Sequence, residues 1–316
     1  MTIAEKLKNA KGYQADFIGP EFKVPFPRLS ESQKAEIAFL KGSKQDYLLH
    51  YQNYSVVQNK KRKFPFFTAA NIDGALFKEL SRKDSWRLDP RINRNHQWGA
   101  ELYKAKKSDF DKGHMTKRED VQWGATPKEA RMGAELTFFY TNAVPQVSNL
   151  NRQIWQSLET YILKKETVKR GMKINLFTGP VLEDGDPVFK TAVKGNSQIK
   201  IPTLFWKVIY FRRDNDNKLY KLGFLMGQEA LLLKNDIVFP RDRSRDIFME
   251  FPMSETYQVK MSTIEEFTKL EFPPAYELYK KTEATPLQKI VDRVQAKNVL
   301  GEETDGPDYE IEGLVL

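Results

Sequence analysis

The chain has 316 residues, 40% of them hydrophobic and 12% aromatic, enough for one large domain or two small ones with a packed core. It contains no cysteine, which excludes disulfides, thiolate zinc sites and cysteine nucleophiles together. The net charge of +9 points to a polyanionic partner, and six acids with no Lys or Arg within residues 300–316 leave the body more basic than that total.

Residues 1–46 read as an N-terminal extension. Its first residues lack the apolar segment of a secretory signal, and no uninterrupted apolar run approaches the roughly 18 residues of a membrane span. The expectation is a cytoplasmic protein with no membrane contact. Residues 30–40 predict a short helix capped by Ser30. From Leu48 the texture turns to β: residues 54–58 and 64–70 predict a hairpin around the polar turn 59–63. Residues 135–142 and 173–179 read as strands, as do 200–212 and 219–226, which the turn 214–217 joins. Between the first two, residues 149–169 predict one long helix, with Ile154, Trp155, Leu158, Tyr161 and Ile162 at helical spacing. A helix over 262–270 carries Ser262 and Glu265 spaced as a capping box. Residues 286–299 predict another helix, and the acidic tail after Gly301 is expected to be mobile. This mixture predicts an α+β fold, with antiparallel strands around a central helix.

The chemistry concentrates between residues 82 and 159. In Asp111-Lys112-Gly113-His114, His114 is a candidate general base, since neutral imidazole accepts a proton from water at physiological pH. The glycine before it is expected to let the backbone turn sharply. Asn151 opens the long helix, either as its N-cap or as a neutral oxygen ligand for a magnesium ion that keeps most of its waters. Glu159 lies about 12 Å further along an ideal helix. It is either an exposed helix charge or a carboxylate that orients the ion's hydration shell. Pro145 and Gln146 are expected to shape the turn into this helix. Arg82, Arg87, Arg91, Lys112 and Arg118 flank the histidine motif, as solvated surface charges or as cations for phosphoryl oxygens. Residues 60–63 and Arg241, Arg243 and Arg245 are further candidates for phosphate contacts.

In order, these segments resemble the DNA/RNA non-specific endonucleases, a branch of the ββα-metal (His-Me finger) nucleases. The family's Asp-Arg-Gly-His is similar to Asp111-Lys112-Gly113-His114, followed by Arg118-Glu119-Asp120 and Trp123-Gly124. Residues 137–142, Pro145-Gln146, Asn151, Trp155 and Leu158-Glu159 look like its metal segment. Further likenesses are Ser55-Val56-Val57, Asn71-Ile72-Asp73-Gly74, Trp86, Asp89-Pro90-Arg91-Ile92, Thr178-Gly179-Pro180, Ile201-Pro202-Thr203 and Phe205-Trp206-Lys207. The likeness runs over residues 47–280, with 281–316 left as a C-terminal helix and acidic tail.

The resemblance implies a ββα-metal core with antiparallel sheets flanking a central metal-site helix. It implies Mg²⁺-dependent (Mn²⁺ as an alternative), sequence-nonspecific cleavage of DNA and RNA to 5′-phosphate and 3′-hydroxyl ends. His114 would be the general base, with Lys112, Arg82 and Glu159 also catalytic. Asn151 would hold the ion and Glu159 its hydration shell, while Arg87, Arg91, Arg118, Asn142 and Gln146 would contact substrate. Lys112 stands where the family usually has Arg, which keeps the charge but loses the bidentate fork. A homodimer, an inhibitor or activating partner, and a role as a regulated antiphage effector are further expectations, as is shielding of the basic surface by the acidic tail. The alternatives are a catalytically silent nucleic-acid-binding module and a specific HNH-type endonuclease.

Overall fold

The computed structural model describes residues 2–147, 154–240, 255–291 and 309–315. The chain opens with helix α1 (Ile3–Asn9), strand β1 (Arg28–Leu29) and a helical turn α2 (Glu31–Lys34). Strands β2 (Leu48–Tyr51), β3 (Tyr54–Gln58) and β4 (Pro65–Asp73) follow. Helix α3 (Ala100–Tyr103) leads to β5 (Phe110–His114), α4 (Pro127–Leu136) and β6 (Ala143–Val147). Helix α5 (Ile154–Thr160) continues as a π-helix over Tyr161–Val168. Then come β7 (Lys173–Pro180), β8 (Leu204–Arg213), β9 (Lys218–Gly227), α6 (Glu229–Lys234), β10 (Thr256–Val259) and α7 (Met261–Thr268). The short strands β11 (Leu270–Glu271), β12 (Tyr276–Glu277), β13 (Thr285–Pro286), β14 (Gln288–Val291) and β15 (Tyr309–Glu312) close the chain.

The fold is α+β. Its centre is a sheet in the order β13-β10-β9-β8-β7-β4-β3-β2, with β12 pairing β9 off that path. Neighbours along the path are antiparallel; β12 with β9 is parallel. Side chains alternate between faces, and here both faces are dry. Val56, Ala70, Leu176, Phe205, Ile209 and Phe224 join one core cluster, while their neighbours Val57, Ala69, Phe177, Trp206, Val208 and Leu225 join the other. Burial on both sides explains why these strands read as continuous apolar runs instead of alternating ones. On the first face lie β5, β6 and α5, through Phe110, Val144, Val147 and Leu158. On the second lie α7 and the N-terminal segment, through Ile264, Phe267, Tyr13, Val24 and Leu29. Residues before Leu48 are thus woven into the core, and β1 pairs with β11.

Several expected elements differ. The helix at Ser30 is only Glu31–Lys34, because Ile37 and Leu40 leave it to bridge Asn59 and Ile92. Residues 135–142 are the end of α4 and a 3₁₀ turn (Tyr140–Asn142), not a strand. The α4 signals were local: a Thr126–Glu129 capping box, Pro127 in the first turn, and Ala130, Gly133 and Ala134 on one buried stripe. The expected long helix changes to π geometry after Thr160. Ile162 and Leu163 both reach the core there, and the Thr167 hydroxyl donates to the carbonyl of Ile162 five residues back, 2.7 Å away. Helix α7 starts after Lys260 without a Ser262 cap; the Glu277 carboxylate accepts from the Met261 N–H instead. Gln288–Val291 is strand, not helix, and it pairs with Tyr309–Glu312, so that part of the acidic tail is docked. The Gln258 amide exchanges two hydrogen bonds with the Val315 backbone, at 2.8 and 2.9 Å. Among the described residues, no helix is long and apolar enough to cross a membrane.

One buried network joins the sheet to the segment carrying the candidate site. The Tyr51 hydroxyl donates to Asp89 at 2.5 Å and meets Thr141 at 2.6 Å, while Arg91 holds the same Asp89 carboxylate at 2.7 Å. Tyr51→Phe removes one donor from a buried carboxylate and is expected to cost about 1–3 kcal/mol in urea unfolding. An unchanged midpoint would show that the network carries no stability.

Candidate active site

The site is built on an antiparallel pair. β5 and β6 align Asp111 with Gln146, Lys112 with Pro145, Gly113 with Val144 and His114 with Ala143. The connection between them, residues 115–142, is pinned by Asn142. Its side chain accepts from the Thr116 N–H at 2.9 Å and donates to the Thr116 and Thr137 carbonyls at 2.9 and 3.1 Å. Asn142 is fully buried and holds the loop that follows His114. With α5 the pair completes a β-β-α order.

Gly113 does not make a sharp turn. It sits in a strand with no positive φ. A Cβ there would lie 2.2 Å from Gln146 Oε1 and 2.5 Å from its Cγ. The glycine therefore makes room for Gln146 at the strand end that presents His114. Gln146 is buried, and its two amide atoms have no hydrogen-bond partner among the described residues. Pro145 and Gln146 lie within β6, not in a turn.

The His114 ring packs against Trp86 (centroids 4.6 Å apart) and edge-on to Phe138 (5.2 Å). Burial pushes its pKa down to about 3; Arg82, Arg118 and Lys112 add to this and Asp84 partly offsets it. The imidazole is thus neutral at physiological pH. Its Nε2 is buried with no hydrogen-bond partner among the described residues. A polar atom left in this state suits a water or substrate oxygen better than a structural role.

Cations surround the ring unequally. Arg82 is exposed and paired with Asp84 at 2.7 and 3.0 Å. Lys112 lies 5.8 Å over Trp86 and 5.9 Å over Tyr103. The guanidinium of Arg118 donates to the Leu80 carbonyl at 3.3 Å. The other two arginines are committed elsewhere. Arg87 folds onto Ser85, and Arg91 binds Asp89 and the His50 carbonyl beneath the surface. In the basic run 60–63, Arg62 is partly buried and paired with Asp186, and Lys63 lies over Trp98. Asn151, Arg241, Arg243 and Arg245 lie outside the described residues.

Glu159 is not an exposed helix charge. It is buried, with Oε1 3.0 Å from Lys207 Nζ, and that ammonium also reaches Thr178 Oγ1 at 3.1 Å. Lys117, three residues after His114, pairs with Glu119 at 3.0 Å and reaches Thr160 Oγ1 at 3.3 Å. Beside them, burial pushes Asp120 up to about 7; Lys207 and Lys117 oppose this, and Glu159 and Glu119 reinforce it. Among the described residues no cluster of three or more His, Asp or Glu side chains could hold a metal ion. An ion that keeps most of its waters needs few protein ligands, and a buried carboxylate is the kind of group that accepts hydrogen bonds from such waters.

Sequence reasoning left Lys117, Asp120 and Lys207 without a role, and gave Trp86 and Phe138 no contact with the histidine. For Lys207 a signal existed: it is the one charge in the otherwise apolar residues 204–210 of a central strand.

A sequence profile of DNA/RNA non-specific endonucleases matches residues 31–277. "Uncharacterized protein y4fB" of Sinorhizobium fredii is 36% identical over 247 residues, 75% of this chain and 35% of that protein. Mitochondrial endonuclease G of Homo sapiens is 27% identical over 133 residues, 40% of this chain and 41% of its own length. Mitochondrial nuclease EXOG of Danio rerio is 24% identical over 187 residues, covering 57% and 52%. The chain thus spans only about a third to a half of these relatives. The fold matches the crystal structure of the EndoG/EndoGI complex with a TM-score of 0.50 and 21% identity, over 72% of this chain and 85% of that one.

Two measurements check this geometry. Gly113→Ala is expected to cost about 1–3 kcal/mol through overpacking. Adding Gln146→Ala should recover at least half of that loss; strictly additive costs would contradict the contact. For His114, folding favours the neutral ring, so its stability contribution is intact above an unfolded pKa near ~6.5. That contribution is lost as pH falls from there toward the folded value of about 3. An NMR titration of the ring should show no step between pH 8 and 5, on the scale of ordinary histidine values. A step near 6.5 would contradict the burial described above.

Proposed function

Because the chain belongs to the DNA/RNA non-specific endonuclease family, we propose that it hydrolyses phosphodiester bonds of DNA and RNA without sequence preference. The observation that carries the reading is His114: a neutral imidazole whose Nε2 has no partner among the described residues, under the charges of Arg82, Arg118 and Lys112.

The neutral ring takes a proton from water as the water oxygen attacks phosphorus. The new O–P bond forms opposite the breaking bond to the 3′ oxygen, giving 5′-phosphate and 3′-hydroxyl ends. Arg82 and Lys112 bind the phosphoryl oxygens, where negative charge accumulates. Lys112 does so as a point charge, without the bidentate grip of an arginine. Asn151 and, through hydration, Glu159 would hold a Mg²⁺ or Mn²⁺ ion. Bound there, such an ion would supply charge stabilisation for the leaving oxygen. Arg118 extends the basic surface to neighbouring phosphates. Arg87, Arg91, Asn142 and Gln146 act through the framework and not on the substrate.

A nuclease without sequence preference endangers its own nucleic acids. The reading therefore includes a protein inhibitor or a delivery route, such as an antiphage effector, that restrains the site; EndoG itself is known in a complex with EndoGI.

Plasmid DNA and structured RNA incubated with Mg²⁺ should be degraded to a smear, and EDTA should stop it. His114→Ala should reduce the rate by roughly 100- to 10,000-fold, the range for loss of a general base. Salt-sensitive binding without cleavage would instead identify a binding module. Discrete fragments would identify a specific endonuclease.

A further inference from the structure

We propose that Lys207 is a positioning residue for this reaction, whose buried ammonium holds Glu159 in the hydration layer of the cation and keeps it from ligating the ion directly. The inference rests on the role given to Glu159 above.

Lys207 lies in the middle of β8, opposite Thr178 of β7 and Phe224 of β9. Its neighbours Trp206 and Val208 point into the far core, so Lys207 points to the face that carries β5, β6 and α5. It is 1% exposed. Its Nζ bridges Glu159 Oε1 at 3.0 Å and Thr178 Oγ1 at 3.1 Å, tying the first turns of the metal-site helix to a rigid strand pair.

Stability alone does not account for this pair. Two ions taken out of water are no better than a well-packed apolar pair of the same size, and often worse. What the pair supplies is geometry and charge. A carboxylate oxygen held by an ammonium has one lone-pair direction committed and its charge offset. A divalent cation bound to the same carboxylate would meet the ammonium at short range, and the two positive charges repel. Water between ion and carboxylate relieves that repulsion and accepts the orientation the pair imposes. Lys117 works on the same helix turn, from the loop that follows His114 to Thr160. The base and the carboxylate are thus registered to each other through protein, before substrate arrives.

The test compares the unmodified protein with Lys207→Met, Glu159→Gln and the double variant. Mn²⁺ affinity is read by electron paramagnetic resonance and steady-state cleavage in parallel. Lys207→Met should bind Mn²⁺ about tenfold more tightly, because a repelling charge is gone. Its kcat should nevertheless fall roughly 10- to 100-fold with little change in KM, as for other outer-layer metal partners. In the Glu159→Gln background, Lys207→Met should change neither reading by more than about threefold. Weaker or unchanged Mn²⁺ binding by Lys207→Met overturns the proposal, as does an equal loss of kcat in both backgrounds. If Lys207→Met alone does not fold, Lys207→Gln, a neutral side chain whose amide still donates to the Glu159 carboxylate, takes its place with the same two expected changes and the same overturning results. Absence of cleavage by the unmodified protein would refute the nuclease reading, while the Mn²⁺ comparison continues to test Lys207 separately.

Discussion

A sheet that is dry on both faces can carry a charge only where another charge meets it, and that constraint shapes this molecule. The strands β4, β7, β8 and β9 are packed on both sides, and into one of those faces the chain puts Lys207. The ammonium requires Glu159, and Glu159 fixes where α5 sits. The cluster then grows outward through Lys117, Glu119 and Asp120 to the loop that leaves β5. Fold and site are the same set of contacts in this region.

The second constraint is steric. His114 stands at the end of a strand whose partner places Gln146 over Gly113, so a residue with a side chain there would displace the register on which the histidine depends. Trp86 and Phe138 then shield part of the ring, and that burial, with Arg82, Arg118 and Lys112 adding to it, keeps the imidazole unprotonated. The same cations that suit a phosphodiester also hold the imidazole in its base form. Recognition and proton transfer are coupled by simple electrostatics.

Much of this was legible from sequence. The hairpin over β3 and β4 and the β8–β9 hairpin were marked by apolar β runs and polar turns, and Asn217 adopts the positive φ such a turn requires. The ordered motifs named His114, Lys112, Arg82 and Glu159 together; Arg82 and Lys112 act on the His114 ring, whereas Glu159 couples to Lys117. What was not legible depends on partners distant in sequence. A local signal was outweighed in one place: residues 135–142 carry aromatic and β-branched side chains that mimic a strand, yet the helix capped by Thr126 runs to Leu136 and a 3₁₀ turn follows. The apolar period of residues 154–162 fits a regular helix, and nothing in it marks the change to π geometry at Tyr161. Arg87 and Arg91 look like phosphate ligands until Ser85, Asp89 and the His50 carbonyl claim them.

Crystals soaked with Mn²⁺ and a nonhydrolysable oligonucleotide, read by anomalous scattering at the manganese edge, test the account most directly. The predicted result is one ion beside Asn151, with ordered waters between it and the Glu159 carboxylate, and the His114 ring across the phosphate from it. A Glu159 oxygen bonded directly to the ion, or a phosphate bound out of reach of the His114 ring, would contradict it.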